Sequence, residues 1–493
     1  MPFVLALDQS TSATKALLYS DAGELIDKAS LDHKQHYPQP GYVEHDANEI
    51  WFNVLTVVAQ LKQKQPAAFG DLLCLSITNQ RETVVVFDRK TGEPLGPALV
   101  WQDGRSAGIC RELIDAGHNQ AVADRTGLKI DVYFSAGKLA WLIRNKPDIA
   151  AKLNDGSAVI GTIDTYLIHR LTDGRVFATD STNASRTLLF NIRTLQWDET
   201  LCGLFGVPAN ALAEVRDATG RFGETTLGGQ LDKPLPICGV IGDSQASLFA
   251  HRCFAPGQAK VTLGTGSSVL QNLGSDFKPG GAAALTTIAW THQGRPTYSY
   301  EGVISYSAAT IAWLKDQLKL LSDPAETEAA AAAVPDNGGV YLVPAFAGLS
   351  APYWSPDARA AIVGLSSHSN RNHVLRAALE SIGYQIRDVL DAMRAESGVT
   401  LQTLNADGGA ARNAFLIQFI ADITGLDVAV APIAECSPLG AVLAGLVGMG
   451  TKTMNDLARA SQAKPPVLPV MPRDAADRLY AGWQRAVRQT LTV

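Results

Sequence analysis

Residues 3–30, FVLALDQSTSATKALLYSDAGELIDKAS, set the architecture. Apolar FVLALD (3–8) meets a polar turn, TKALLYS (14–20) follows, and ELIDKAS (24–30) comes after Gly23. Short apolar runs divided by such turns predict three successive strands, two hairpins at the head of the chain. Moving outward, ANEIWFNVLTVVAQLKQ (47–63) has its apolar residues at helical spacing. LCLSIT (73–78) and TVVVFD (83–88) are strand-like, and the second closes on the turn DRKTGEP. Hairpins followed by alternating helix and strand predict a mixed α/β sheet.

The second half repeats this rhythm. LPICGVIGD (235–243) leads into the helical SQASLFAHR, and KVTLGTGSSVLQNL (260–273) reads as strand, glycine turn, strand. Helices are expected over 305–321, 372–398 and 411–425, and alanine-rich AETEAAAAAV (325–334) is expected to extend a helix. A chain of 493 residues exceeds one ordinary core. Two domains are therefore expected, 1–246 and 247–493, and the similar openings of the halves suggest duplication.

Hydrophobic residues make up 46% and aromatics 7%, as in a soluble globular protein, and the net charge of -6 is dispersed. That balance argues against nucleic-acid binding. The start shows no basic segment with a long apolar core, so no secretory signal is read. Apolar AVLAGLVGMG (441–450) is too short for a bilayer and reads as a packed helix, so no membrane partner is expected. The six cysteines are scattered without Cys-x-x-Cys, which predicts a reducing cytoplasm, buried thiols and no cysteine metal site.

Three loops have phosphate-handling chemistry. Between the first strands, Asp8-Gln9-Ser10-Thr11-Ser12-Ala13-Thr14-Lys15 offers turn N–H groups, hydroxyls and a cation, with Asp8 able to hold hydrated magnesium. Gly264-Thr265-Gly266-Ser267 would let backbone approach a triphosphate. Asp407-Gly408-Gly409-Ala410, ending at Asn413, would let a flat base lie on backbone. Taken alone, the first two read better as ordinary hairpin turns and the third equally well as a strand-to-helix connection, and no Walker loop is present; the case lies in the three together.

Ile241-Gly242-Asp243-Ser244-Gln245 places a carboxylate between a strand and a helix, as a general base for phosphoryl transfer or simply as the helix N-cap. Asn79-Gln80-Arg81-Glu82 puts donors and acceptors for a polyol at a strand end, or else a surface ion pair. VWQDGR offers Trp101 and Asp103 beside a carbon skeleton, though a tryptophan is more often buried core.

These segments, with YFSAGKLAWLIRN, GTIDTYLIHRLTDG, TDSTNASRTLLFNI and PAFAGLSAPYW, resemble the FGGY carbohydrate kinases in order and over nearly the whole chain. Within that family they are most similar to its glycerol-phosphorylating branch. The resemblance implies two ribonuclease H-like domains of the actin and hexokinase ATPase type, with a catalytic cleft between them. It implies ATP and Mg2+ as cofactors, a small polyol or sugar as acceptor, a homodimer, Asp243 as base, and Asp8 and Asp243 near magnesium. Thr11, Ser12 and Lys15 would flank the phosphates, opposite Gly264, Thr265 and Gly266, while Gly409, Ala410 and Asn413 would hold adenosine. Arg81, Glu82, Trp101, Tyr133, Asp243 and Ser244 would line the acceptor pocket.

Three departures bear on acceptor and regulation. Ser244 stands where glycerol-phosphorylating relatives carry a glutamine, and Ser267-Ser268 stand where a small residue and a phenylalanine are usual. Both open and hydroxylate the pocket, so erythritol, xylulose or a similar pentulose is the alternative to glycerol. In GGQLDKPLP, Asp232 and Pro234 replace a glycine and an arginine, predicting no inhibition by fructose 1,6-bisphosphate. A catalytically silent sugar sensor is the remaining alternative, against which Asp8, Thr265 and Asp243 are all retained.

Overall fold

A computed structural model describes residues 2–281, 284–355, 357–433, 435–459 and 465–491. The three opening strands form as expected: β1 (Phe3–Gln9), β2 (Ala13–Ser20) and β3 (Leu25–Asp32). With β4 (Leu72–Asn79), β5 (Arg221–Thr225) and β6 (Leu235–Gly242) they make a sheet in the order β5-β6-β4-β1-β2-β3. β1 pairs antiparallel with β2 and parallel with β4, and β4 pairs parallel with β6.

A second sheet holds β7 (Gln258–Leu263), β8 (Ser267–Gly274), β9 (Leu285–His292), β10 (Arg295–Ile304), β11 (Thr403–Asp407) and β12 (Val428–Val430), ordered β9-β10-β8-β7-β11-β12. Its antiparallel triple β10-β8-β7, continued by parallel β11 and β12, repeats the pattern β3-β2-β1, β4, β6. The duplication faint in the sequence is therefore plain in the topology. The first turn of one sheet (10–12) corresponds to Gly264-Thr265-Gly266 in the other. Likewise the segment after β4 corresponds to the Asp407-Gly408-Gly409 loop after β11. Ligands of open α/β sheets bind beyond the carboxyl ends of parallel strands, which is where these loops stand.

TVVVFD does not join the first sheet: Val84–Asp88 belongs to a four-stranded sheet with Glu44–His45, Ala98–Leu99 and Ala158–Thr162. The main helices are α1 (Ala47–Lys64), α2 (Asp243–Ala250), α3 (Arg371–Ser397), α4 (Ala414–Thr424) and α5 (Cys436–Gly448). Asp46 caps α1 through its carboxylate, and Gly398 ends α3 in the left-handed conformation. The helix expected over 305–321 is shorter, Ala308–Asp316, and Lys319 beyond it has a φ of 55°. The alanine run forms Glu326–Ala332.

Residues 243–257 separate the two sheets, and α2 runs through residue 246. α5, from the second half of the sequence, packs on the first sheet and on α2. Its small residues permit this: a Cβ on Gly440 would lie 1.8 Å from Ala246 O, and one on Gly445 2.2 Å from Ser76 Oγ. No helix among the described residues is long and apolar enough to cross a membrane.

Candidate active site

Arg81 and Glu82 leave the end of β4, and both are buried, which removes the reading as a surface ion pair. Arg81 Nε lies 3.2 Å from Asp243 Oδ1, its Nη2 lies 2.8 Å from Glu301 Oε1, and its Nη1 donates to Gln245 Oε1 at 3.1 Å. Glu82 Oε1 accepts from Arg186 Nε at 2.5 Å, and Arg186 Nη1 also meets Glu301 Oε2. Glu301 sits on β10, so the second sheet delivers a carboxylate between two arginines of the first half. Burial pushes its carboxyl up, but Arg186 and Arg81 outweigh that and hold it at about 2. Glu82 has a φ of 62°, a conformation non-glycine residues rarely adopt and one that concentrates at functional sites.

Asp243 is the first residue of α2. Gly242 is the N-cap, with no side-chain cap bond, so Asp243 does not serve the helix as a cap. Its Oδ1 accepts the Ser244 N–H at 2.6 Å, while the Gly242 N–H before it donates to Thr182 Oγ1 at 2.8 Å. The Asp243 side chain is 41% exposed, against 2% for Glu82 and 0% for Glu301. It is the carboxylate of this cluster that an incoming hydroxyl can reach. Ser244 is half-buried. Trp101 meets Tyr133 edge-on at 5.4 Å, forming an aromatic side to the cluster, and Arg186 lies 5.7 Å from the Tyr133 ring centre. Asp103 instead holds Arg105 and the Val43 N–H in a buried knot.

In the β1–β2 turn, Ser12 is exposed, and the Thr11 hydroxyl accepts from Trp101 Nε1 at 2.9 Å. Lys15 lies 3.3 Å from Asp8 Oδ2 and 3.0 Å from Glu435 Oε2, which also binds Lys28 through its other oxygen. Burial raises the Asp8 carboxyl to about 6 against the pull of Lys15, with Glu435 and Asp243 adding to the rise. Across the cleft, Gly264 N–H closes the turn on Gly266 O at 3.0 Å, and a Cβ on Gly266 would lie 2.6 Å from Ile304 O. Thr265 at the tip is exposed.

Beside that turn opens a cavity of about 520 Å³, bounded by Gly264, Thr265, Leu379, Gly409, Ala410 and Asn413 among others. Gly408 is required by the fold, with a φ of 91° and its Cβ position 2.5 Å from Leu263 O. Gly409 is not: a Cβ there meets nothing within 4 Å. Asn413 caps α4 through Leu416 N–H at 2.9 Å, and its amide donates to Thr327 Oγ1 at 3.2 Å.

The structure thus brings Arg81, Glu82 and Asp243 into one ion cluster, joins Trp101 to Tyr133 and Thr11, sets Lys15 beside Asp8, and gathers Gly264, Thr265, Gly409, Ala410 and Asn413 around one cavity, while Asp103 serves a separate knot. Glu301, Arg186 and Glu435 carry as much of its electrostatics and were given no role by sequence reasoning. A lone glutamate inside the apolar strand TYSYEGVI was the signal for the first, and the arginine of NASRT for the second.

Two α/β sheets that share one order over five of their six strands, with carboxylates, arginines and glycine turns between them, define a two-domain actin and hexokinase-like ATPase fold. The sequence matches the FGGY family of carbohydrate kinases, N-terminal domain, over residues 3–250 and the C-terminal domain over 259–449. The chain belongs to the FGGY family of carbohydrate kinases. It is 46% identical over 486 residues to a glycerol kinase of Carboxydothermus hydrogenoformans, covering 98% of this chain and 97% of that one. It is also 46% identical over 488 residues to a glycerol kinase of Symbiobacterium thermophilum, covering 99% and 98%. The crystal structure of Plasmodium falciparum glycerol kinase with ADP superposes with a TM-score of 0.94 at 35% identity, over 100% of this chain and 98% of that one.

Proposed function

We propose that the chain transfers the γ-phosphoryl group of ATP to a terminal hydroxyl of glycerol, giving glycerol phosphate and ADP. The observation that carries this reading is Asp243. It is the exposed member of an otherwise buried ion cluster, unused as a helix cap and held by Arg81. The acceptor oxygen bonds to the γ-phosphorus as the bond to the ADP oxygen breaks, and the hydroxyl proton passes to Asp243. Arg81, Glu82, Trp101 and Tyr133 hold the carbon skeleton and its other hydroxyls, with Ser244 beside them. Thr11, Ser12 and Lys15 face Gly264, Thr265 and Gly266 around the phosphates, and the adenosine end lies against Gly409, Ala410 and Asn413. The open space before Gly409 supports that placement.

Asp8 and Asp243 are the residues that would hold magnesium. Burial raises the Asp8 carboxyl against the pull of Lys15, with Glu435 and Asp243 adding to the rise, so a divalent cation there would favour its charged form. When bound, magnesium would neutralise charge on the transferring phosphoryl group.

A larger acceptor is the second reading, favoured by Ser268, whose hydroxyl lies 3.4 Å from Glu301 Oε1 and makes that wall polar. A coupled assay across glycerol, erythritol and ketopentoses decides between them. Glycerol is expected to be turned over with the highest kcat/KM. Much faster turnover of a tetritol or pentulose would move the assignment, and no acceptor-dependent turnover would favour a silent sensor. The same assay with added fructose 1,6-bisphosphate is expected to show no inhibition.

A further inference from the structure

Asp407 lies where the parts of the cleft meet. It ends β11, directly before Gly408 and Gly409 at the nucleotide cavity. Its Oδ2 accepts from Ser247 Oγ at 2.6 Å and faces His251 Nε2 at 3.1 Å. Both partners come from the helix that begins with Asp243: Ser247 is within α2 and His251 follows its last residue. Asp243, Ser247 and His251 are spaced at i, i+4 and i+8, one stripe along that helix. Cys436, the first residue of α5, has its Sγ within 4.8 Å of the Asp407 and His251 ligand atoms, and its neighbour Glu435 holds Lys15.

The Asp407 carboxylate is 5% exposed and ionised. Burial pushes it up, yet His251, Lys260 and Ser247 hold it well below the usual carboxylate range. His251, Asp407 and Cys436 resemble a ligand set for a thiophilic ion, but Lys260 on β7 already supplies the cationic counter-charge to Asp407. The connection onward is stiff. Gly408 is seated on the backbone of Leu263, the residue before Gly264, so the Asp407 loop and the Gly-Thr-Gly turn move together.

We propose that Asp407 is a positioning residue that couples the two ends of the cleft. It fixes the register of the helix bearing Asp243 against the loops that take the nucleotide. Sliding the helix breaks both bonds to a buried carboxylate at once, so the helix has discrete rather than graded positions. Nucleotide and acceptor therefore each bind more tightly when the other is present, by the same factor. The proposal rests on the phosphoryl-transfer reading above.

Calorimetric titration of ADP with and without saturating glycerol tests it, on the native protein and on Asp407→Asn, Ser247→Ala and His251→Gln. In the native protein glycerol is expected to tighten ADP by about tenfold, within the usual range of such couplings. In Asp407→Asn the factor is expected to fall to within about twofold of one while each ligand alone keeps its affinity to within about threefold. Ser247→Ala and His251→Gln should show the same loss in smaller measure, and they decide the matter if Asp407→Asn does not fold. An unchanged factor in the variants, no coupling in the native protein, or equal loss of both binary affinities with coupling intact overturns the proposal. Failure of the kinase reading shows separately, as a native protein without acceptor-dependent turnover of ATP.

Discussion

At the proposed acceptor end Arg81, Arg186, Glu82 and Glu301 are buried against one another, each charge answered by an opposite one. At the proposed nucleotide end the boundary is a cavity of about 520 Å³ lined mostly by small and apolar residues, glycines, alanines, leucines and isoleucines, with Glu328 and Arg412 its charged members. The first end would recognise through side-chain charge fixed in advance, where removing one group leaves its partners short of a counter-charge. The second would recognise largely through space, where adding an atom matters more than removing one. Asp243 stands at the junction, and its exposure marks the boundary between the two ways of building a site.

The largest effect should come at that junction. Asp243→Asn keeps shape and removes the proposed base, so kcat is expected to fall by roughly 10² to 10⁴ with ADP affinity unchanged by calorimetry. Turnover within tenfold of the native value would take the role of base from Asp243.

Glu301→Ala leaves two buried guanidinium groups with only Glu82 and Asp243 to answer them and should destabilise the protein by about 3–5 kcal/mol in urea unfolding. The pH dependence gives an independent check. The Glu301 carboxyl is lowered from its ordinary 4.5 to about 2 in the folded state, so its stabilisation is present above about pH 4.5 and is lost as pH falls toward 2. That amounts to about 3 kcal/mol. The stability gap between native protein and Glu301→Gln should therefore narrow below pH 4.5; a constant gap would show that the charge is not its source.

At the nucleotide end, neighbouring glycines should behave oppositely. Gly408→Ala forces a side chain into a left-handed backbone 2.5 Å from Leu263 O and is expected to cost about 2 kcal/mol or more. Gly409→Ala should leave stability within about 0.5 kcal/mol yet weaken ADP binding by about tenfold, because its Cβ enters the cavity. Equal loss of stability in both would erase the distinction. Asn413→Ala, the smallest change, should cost about 1 kcal/mol through the lost cap of α4.

Much of this was legible in the chain. The opening hairpins, the long helix to Ser397 and the glycine turns all follow from local pattern, because periodicity and turn chemistry act over a few residues. The helix expected through 321 stops at Asp316, a boundary that apolar periodicity alone did not mark. Val84–Asp88 reads as a strand, but which sheet it joins depends on pairing with Ala158–Thr162, some seventy residues away.

By itself the sequence determined the α/β class and marked three loops and Asp243 as candidates, since each is written in contiguous residues; their roles came only from the resemblance to the family. The tertiary structure alone decided that Asp243 is reachable and not a cap, that Glu301 answers Arg81 and Arg186, and that Asp407 grips the helix of the base. Those are contacts between groups as far apart as 220 positions, Arg81 to Glu301. Their energies depend on burial and distance, and neither is a property of neighbouring residues in a chain.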